Sequence, residues 1–396
     1  MELAQRLNRI AESQTLKMAR LGRELRAKGL DIIDFSLGEP DFITPSHIRE
    51  AAKKAIDEGY THYTPVAGYA ELRQAVCEKL KRDNHLEYKP EQIVTSTGAK
   101  HSLVNVIMSV VDPGDEVIIP TPYWVTYSEQ VKFVRGEVVT IRGSLENKYK
   151  ITPQQLEAAI TQKTKLFMFS SPCNPSGSVY SKEELRALAE VFRKHRRIII
   201  LSDEIYEYIN YAGGHESIAQ FDFLKDRVVV VNGLSKGYAM TGWRLGYIAA
   251  PLPIAKACEK LQGQFTSGTC SITQRAGIVA LTGDLKPTEE MVKEFSRRKD
   301  FILKEIRRIK GIKVQDPDGA FYIFPDVSAF FGKSADGQKI ENADDLCMYL
   351  LEKGLISTVT GSAFGEPDCI RISYATSMEK IGEGMQRMKK AMEALR

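Results

Sequence analysis

A lysine and an arginine stand close together where one apolar run of the sequence ends. Residues 228–231 are four consecutive valines, and Lys236 follows them in the string "NGLSKG". Arg244 comes next, in "TGWRLGY". An apolar and cationic setting favours loss of the lysine proton, because burial and nearby positive charge both disfavour the ammonium form. The neutral amine is a nucleophile toward an aldehyde.

Three further apolar runs are followed by residues that offer polar side chains or, at Gly98 and Ala99, free backbone N–H groups. These residues are Gly98, Ala99 and Lys100 after "QIVTST", Asn174 after "LFMFSSP", and Asp203 and Tyr206 at and after the end of "RRIIILSD". In open parallel sheets, ligands collect beyond the carboxyl ends of the strands. We therefore expect these residues to share one crevice with Ser235 and Lys236.

One end of this crevice has the groups that bind a phosphate. A helix that opens at Gly98 and Ala99 presents free backbone N–H groups and the positive end of its dipole. Ser235 can add a hydroxyl and Arg244 a bidentate guanidinium. The sequence therefore predicts an anion site beside the nucleophilic lysine.

The other polar groups match an aromatic ring with a basic nitrogen and a phenolic oxygen. Asp203 could pair with a protonated ring nitrogen, while Asn174 and Tyr206 could hydrogen-bond the oxygen. Trp124, in "PYWVTY", could stack on the ring. Phosphate, aldehyde, pyridinium and phenolate together describe pyridoxal 5′-phosphate, which is the predicted cofactor.

Each residue taken alone has an ordinary structural explanation. Lys236 and Lys100 could be solvated, Asp203 could cap a helix, Asn174 could belong to a turn, Arg244 could form an ion pair, and Trp124 and Tyr206 could be packing residues. Coincidence at four strand ends explains their joint arrangement poorly. The arrangement therefore favours one shared site.

The elements that would position this site alternate between strand and helix. Uninterrupted Val and Ile runs between helices predict an α/β fold, with a mainly parallel sheet covered by helices on both faces. After Pro251 the pattern changes to a smaller mixture of helices and strands. The predicted organisation is an N-terminal segment (1–45), a large cofactor-binding domain (46–285) and a small α+β domain (286–396) with which the N-terminal segment packs.

Several strings resemble those of class I aminotransferases in the fold-type I family of pyridoxal phosphate enzymes. They are "SLGEPDF" (36–42), "THYTPVAG" (61–68), "NPSG" (174–177), "SDEIYE" (202–207), "LSKGYAMTGWRLGY" (234–247) and "RISYATS" (371–377). These strings are most similar to those of bacterial aspartate aminotransferases, some of which also accept prephenate. The resemblance implies a seven-stranded sheet, a homodimer, and ping-pong transfer of the amino group from L-aspartate to 2-oxoglutarate.

The same resemblance implies a role for each residue that would hold the cofactor. Lys236 would bind the aldehyde covalently and carry the proton, Asp203 would keep the ring nitrogen protonated, and Asn174 and Tyr206 would bind the phenolic oxygen. The phosphate and ring would be held by Gly98, Ala99, Lys100, Trp124, Ser235, Arg244 and, across a dimer interface, Tyr63.

Substrate-binding residues are implied as well. Arg371, Asn174 and the backbone at Gly38 would clamp the α-carboxylate, with Trp124 alongside. Lys100 would bind the distal carboxylate, helped by Thr15, although helix N-capping explains Thr15 equally well.

The sequence departs from the better-known relatives at two places. Gly233 stands where many of them carry a serine, so that one phosphate ligand is missing or replaced by water. Residues 263–271 contain none of the arginines that bind the distal carboxylate in those relatives. The match at Lys100 restores the expectation of an acidic substrate.

Within the family, an aromatic, branched-chain or broad-specificity aminotransferase and a carbon–sulfur lyase remain alternatives. From other classes, a nicotinamide dehydrogenase would need a GxGxxG turn, which is absent, and a non-catalytic sensor would need a DNA-binding module, which we do not expect before residue 13. Cys173 has no suggested partner and is interpreted as core filler.

Composition limits the remaining classes. The formal net charge of +4 is too small over 396 residues to predict binding to nucleic acid or a membrane. Six cysteines without a CxxC pair, and histidines without metal-ligand spacing, predict reduced thiols and no metal site. Acidic residues near the N-terminus argue against a secretory signal, so a cytoplasmic location is expected.

Overall fold

The structure is a computed structural model, and it describes residues 3–335 and 337–396. Its α-helices are α1 (Gln14–Ala27), α2 (Ser46–Asp57), α3 (Ala70–Asn84), α4 (Ala99–Val110), α5 (Thr126–Phe133), α6 (Pro153–Ala159), α7 (Lys182–Lys194), α8 (Leu252–Phe265), α9 (Ser271–Thr282), α10 (Lys286–Ile306), α11 (Ala343–Lys353) and α12 (Met378–Glu393). Its strands are β1 (Ile33–Asp34), β2 (Ile93–Ser96), β3 (Glu116–Thr121), β4 (Glu137–Arg142), β5 (Thr164–Ser170), β6 (Ile199–Asp203), β7 (Val228–Gly233), β8 (Gly246–Ala249), β9 (Tyr322–Ile323), β10 (Ser334–Ala335), β11 (Gln338–Lys339), β12 (Ile356–Ser357), β13 (Val359–Thr360) and β14 (Ile370–Ser373).

The largest sheet has seven strands in the order β2-β8-β7-β6-β5-β3-β4. Strand β8 runs antiparallel to both of its neighbours, and the other pairings are parallel. The predicted α/β class and the mainly parallel seven-stranded sheet are therefore confirmed. Because β5, β6 and β7 are parallel neighbours, their carboxyl ends lie at one edge of the sheet.

Both faces of this sheet are covered, which explains the uninterrupted apolar runs. In β7, Val228 and Val230 pack into one apolar cluster, while Val229 and Val231 pack into another. Successive side chains of a strand point to opposite faces, so the two clusters are the two sides of the sheet. A valine run is stable here because each face meets helices rather than water.

A separate apolar core joins the beginning and the end of the chain. Strand β1 pairs in parallel with β12, and Met18 of α1 shares a buried cluster with Ile372 of β14. A three-stranded antiparallel sheet, β13-β14-β9, belongs to the same region. Elements from both ends of the chain therefore share one core, and the division into domains at 45/46 and 285/286 stays a prediction.

Side chains cap the N-termini of helices α6 and α7. Thr152 Oγ1 accepts from Gln155 N before α6, and Ser181 Oγ accepts from Glu184 N before α7. These bonds satisfy backbone N–H groups that the helix itself leaves unpaired. Within the described ranges, no helix is both long and apolar enough to cross a bilayer.

Candidate active site

The strand ends meet at a cavity of ≈ 330 Å³. Of the residues that sequence analysis selected, it is lined by Thr15, Gly38, Ala99, Lys100, Trp124, Asn174, Asp203, Tyr206, Ser235, Lys236, Arg244 and Arg371. The expectation that these residues lie close together agrees with this placement. Their individual roles stay predictions.

Lys236 lies three residues beyond the end of β7 and is partly buried. Its Nζ donates a hydrogen bond to the backbone oxygen of Gly38. Burial lowers the pKa of Lys236 to about 8; Arg371 and Arg244 add to the lowering, while Glu39 and Asp203 oppose it. A substantial fraction of this amine is therefore neutral near physiological pH, as a nucleophile or general base requires.

Asp203 is the last residue of β6 and is 4% exposed. Burial raises its pKa to about 6, although Tyr127 Oη–H donates to its Oδ2 at 2.6 Å and opposes that rise. Ile205 N donates to Oδ1 at 3.2 Å. The carboxylate is thus oriented from two sides, as a partner of a cationic ligand atom needs to be. The alternative of a helix cap is wrong, because a turn rather than a helix follows.

Sequence reasoning missed Tyr127 and Tyr322. Tyr127 stands three positions after Trp124, and the two rings pack edge to face at 5.7 Å. Tyr322 lies in β9, and its hydroxyl is 2.6 Å from that of Tyr206. The only available signal for Tyr127 was its spacing from Trp124, and nothing in the sequence near Tyr322 links it to Tyr206.

Arg371 projects from β14 into the same cavity and is 1% exposed. One terminal nitrogen donates to Asn174 Oδ1 at 3.0 Å and the other to Ser36 O at 2.6 Å. Its Nε has no hydrogen-bond partner among the described residues. Burial lowers the pKa of Arg371, but a guanidinium keeps its proton in proteins. The site therefore contains a fixed buried cation suited to a carboxylate.

The predicted anion site is built where α4 begins. Gly98 is the N-cap residue, with φ of 83°, and a Cβ there would meet the Arg244 guanidinium at 2.4 Å. Arg244 donates to the backbone oxygen of Thr241 at 2.9 Å. The guanidinium thus lies against the helix N-terminus, where its charge and the first-turn N–H groups can act on one anion.

The structure also explains Gly233. This residue pairs with Gly246 of β8, and a Cβ at position 233 would meet the Gly246 Cα and the Leu245 oxygen at 2.8 Å each. A serine could not stand here without moving the strand pair. Ser235, which does line the cavity, is the hydroxyl that remains available.

Lys100 and Thr15 lie at another part of the cavity wall. Lys100 Nζ is 4.9 Å from the centre of the Trp124 ring, and desolvation followed by the charge of Arg244 lowers its pKa. Thr15 is not a helix cap, since α1 begins at Gln14 with Ser13 at the N-cap position. Its Oγ1 is buried and has no hydrogen-bond partner among the described residues. A polar ligand could satisfy that atom.

Two of the predicted cofactor residues are absent from the described cavity lining. Gly98 lies directly behind it, against Arg244. Tyr63 is 100% exposed, so nothing within one chain buries it. Cys173 is buried, and burial raises the pKa of its thiol, which agrees with its interpretation as filler rather than nucleophile.

Comparison with known proteins decides the family. The sequence model described as aminotransferase class I and II matches residues 30–388. The chain belongs to the class I and II aminotransferases. It is 45% identical over 395 residues to the aspartate aminotransferase of Bacillus subtilis (strain 168), covering 99% of each protein.

Two further relatives extend this result. This aminotransferase is 44% identical to a Petunia hybrida protein named bifunctional aspartate aminotransferase and glutamate/aspartate-prephenate aminotransferase, over 100% of the chain and 83% of that protein. The crystal structure of an aspartate aminotransferase from Rhizobium meliloti superposes with a TM-score of 0.96 at 41% identity and full coverage of both chains. The predicted family, fold and aminotransferase activity are thereby confirmed.

The cavity of this aminotransferase combines fixed cations with groups that exchange protons. Arg244 and Arg371 can each bind an anionic group, and Lys236 can take up or release a proton near neutral pH. Across the described residues, no group of three or more His, Cys, Asp or Glu could hold a metal ion. The described groups can therefore orient an anionic ligand and move protons at one atom of it.

Proposed function

We propose that this aminotransferase binds pyridoxal 5′-phosphate and moves the amino group of L-aspartate to 2-oxoglutarate. The observation that supports the cofactor is that Lys236, Asp203 and the Arg244–α4 anion site open onto one cavity. The donor set fits the group: a partly neutral amine for its aldehyde, a buried carboxylate for its ring nitrogen, and a cationic helix end for its phosphate.

One group of residues would hold the cofactor and move the proton. When bound, pyridoxal phosphate supplies an aldehyde for the amine and a ring that accepts electrons. Lys236 would hold the group covalently. As a free amine it would then take a proton from the substrate Cα and deliver it to the carbon that carried the aldehyde. Asp203 would keep the ring nitrogen protonated. Asn174 and Tyr206 would hydrogen-bond the phenolic oxygen, and Trp124 would pack on the ring.

Substrate orientation would come from a second group of residues. Arg371, held by Asn174 and the Ser36 carbonyl, would bind the α-carboxylate and fix the Cα near the amine. Lys100 offers a cation for a distal carboxylate, and Thr15 Oγ1 offers an unpaired hydroxyl. Two carboxylate-binding cations in one cavity support a dicarboxylic substrate such as aspartate or 2-oxoglutarate. The names of several relatives support prephenate as a further amino acceptor.

We also propose a cytoplasmic homodimer. Tyr63 is fully exposed, and Ile43 and Phe265 are 78% and 62% exposed. A second copy of the chain could bury these large side chains. Tyr63 would then reach the phosphate of the partner site. All six cysteines are free thiols, which supports a reducing compartment.

Replacing Lys100 with alanine tests the substrate. The Lys100→Ala variant should lose about 10- to 100-fold in kcat/KM for aspartate and glutamate, because it removes a charged partner of the distal carboxylate. Turnover of phenylalanine, which has no such carboxylate, should change little. The measurement is kcat/KM over a panel of amino donors and oxo acceptors that includes prephenate.

The matched control is Lys194→Ala, a surface lysine whose side chain is 68% exposed. This variant should have the same kcat/KM as the wild type for every substrate. Equal losses on aspartate and phenylalanine in Lys100→Ala would refute the dicarboxylic assignment and favour an aromatic or broad-specificity enzyme. A wild-type chain without amino transfer on any donor would favour a non-catalytic sensor.

A further inference from the structure

The segment that follows β6 presents two different sets of side chains. Asp203 and Tyr206 belong to the described lining of the cavity, whereas Glu204 and Glu207 do not. The two glutamates are nevertheless buried, at 1% and 6% exposure. Each cavity residue therefore has a buried carboxylate as its immediate neighbour in the chain.

Glu204 is tied to the chain on both sides of this segment. Its Oε1 accepts from Ser202 Oγ at 2.8 Å and from Ser217 Oγ at 2.6 Å. Its Oε2 lies 2.9 Å from His215 Nε2. Burial would raise the pKa of Glu204, but His215 and the two hydroxyls outweigh it, so that the net shift is downward. Glu204 is thus an ionised carboxylate that joins β6 to residues 215–217.

Glu207 is tied to helix α3. It forms an ion pair with Lys79, whose side chain is 1% exposed, and Asn84 Nδ2 donates to it at 2.8 Å. Lys79 Nζ also donates to Asn84 Oδ1 at 2.7 Å. Tyr208, the next residue, donates its hydroxyl to Asp83 Oδ2 at 2.6 Å. Three polar groups of one helix therefore hold the turn that carries Tyr206.

Such buried charges are a poor way to gain stability alone. The cost of removing two ions from water largely offsets their attraction, and well-packed apolar residues often stabilise a fold as much. Directional hydrogen bonds, in contrast, fix the position of a segment to within a narrow range. The hydrogen bonds of Glu204 and Glu207 are therefore better explained by the position that they give to the chain after β6 than by stability.

We propose that Glu204 and Glu207 are positioning residues that fix the Asp203 carboxylate and the Tyr206 phenol in the cavity. Glu204 holds the end of β6 through Ser202, Ser217 and His215, and Glu207 holds the following turn through Lys79 and Asn84. The proposal deepens the proposed function and rests on it, since Asp203 and Tyr206 contact the cofactor only in an enzyme that binds pyridoxal phosphate.

The test compares Glu204→Ala with Glu204→Gln. Alanine removes all three attachments, whereas glutamine keeps an oxygen for the two hydroxyls and an amide group that can hydrogen-bond the His215 imidazole. Glu204→Ala should weaken pyridoxal phosphate binding about tenfold and reduce kcat by a similar factor. The KM for the amino acid should stay nearly constant, because Arg371 and Lys100 lie on other elements. Glu204→Gln should recover most of both losses.

A control separates position from general stability. Lys150→Met removes the partner of Glu184, with a lysine side chain that is only 12% exposed, outside residues 203–217. It can lower the melting temperature but should leave cofactor affinity and kcat unchanged. If Glu204→Ala lowers only the melting temperature, the glutamate is structural and the proposal is wrong. If Glu204→Ala does not fold, Ser217→Ala removes one attachment and should weaken binding about threefold.

A second readout does not depend on the cofactor. Hydrogen–deuterium exchange of residues 204–211 in the cofactor-free chain should be faster in Glu204→Ala than in the wild type, and near wild type in Lys150→Met. Unchanged exchange in Glu204→Ala would overturn the positioning proposal. A wild-type chain that binds no pyridoxal phosphate would instead overturn the proposed function. The exchange result would still decide whether Glu204 fixes residues 204–211.

Discussion

The Lys236→Ala variant should transfer amino groups about 10²- to 10⁴-fold more slowly than the wild type. Alanine removes both the covalent attachment of the cofactor and the base that moves the proton at the substrate Cα. Among the described lining residues, Lys100 is the other lysine, and there is no histidine. Lys100 lies against Trp124 and not at the position of the Lys236 amine. Single-turnover kinetics with aspartate and stoichiometric cofactor measure the loss.

Lys236→Arg separates charge from proton transfer. Arginine keeps a positive charge in the cavity but does not give up its proton in proteins. It should therefore be as inactive as alanine. Activity within about tenfold of the wild type in Lys236→Arg would show that the amine of residue 236 is not the proton carrier. Lys194→Ala serves again as the surface control.

Removing the Arg371 guanidinium should reduce kcat/KM by about 10²- to 10³-fold for every α-amino acid tested. The reason is that Arg371 would bind the carboxylate that all these substrates share. Arg371→Lys should recover little, because an ammonium cannot form the two parallel hydrogen bonds that a guanidinium forms. The loss should appear with aspartate and phenylalanine alike, in contrast to that of Lys100→Ala.

Amines without an α-carboxylate provide the control for Arg371. Their slow turnover should be the same in Arg371→Lys and in the wild type, because they lack the group that this arginine binds. If the variant loses as much activity on such amines as on amino acids, then Arg371 acts through the fold and not through the substrate carboxylate. Circular dichroism checks that the buried position tolerates the change.

The strand ends could be predicted from the sequence because their signals are local. Uninterrupted runs such as residues 228–231 indicate a strand buried on both faces, and parallel strands bring their carboxyl ends together. The polar residues that follow, such as Asp203 and Lys236, then had to lie near one another. The resemblance added Arg371 and Thr15, which no local pattern placed in the cavity.

Contacts between distant parts of the chain could not be predicted in this way. The Tyr127–Asp203 hydrogen bond depends on how α5 sits beside the end of β6, and the Lys79–Glu207 pair depends on the packing of α3. The reason for glycine at position 233 lies in Gly246 of a neighbouring strand. Such facts follow from tertiary packing, which hydrophobic periodicity does not specify.

Reduction of the cofactor-loaded protein with borohydride tests the central claim most directly. If Lys236 holds pyridoxal phosphate covalently through its Nζ, reduction makes that link permanent. Peptide mapping by mass spectrometry should then find the pyridoxyl group on Lys236 and on no other lysine. A protein that carries the reduced group elsewhere, or carries none, would contradict the account of this cavity.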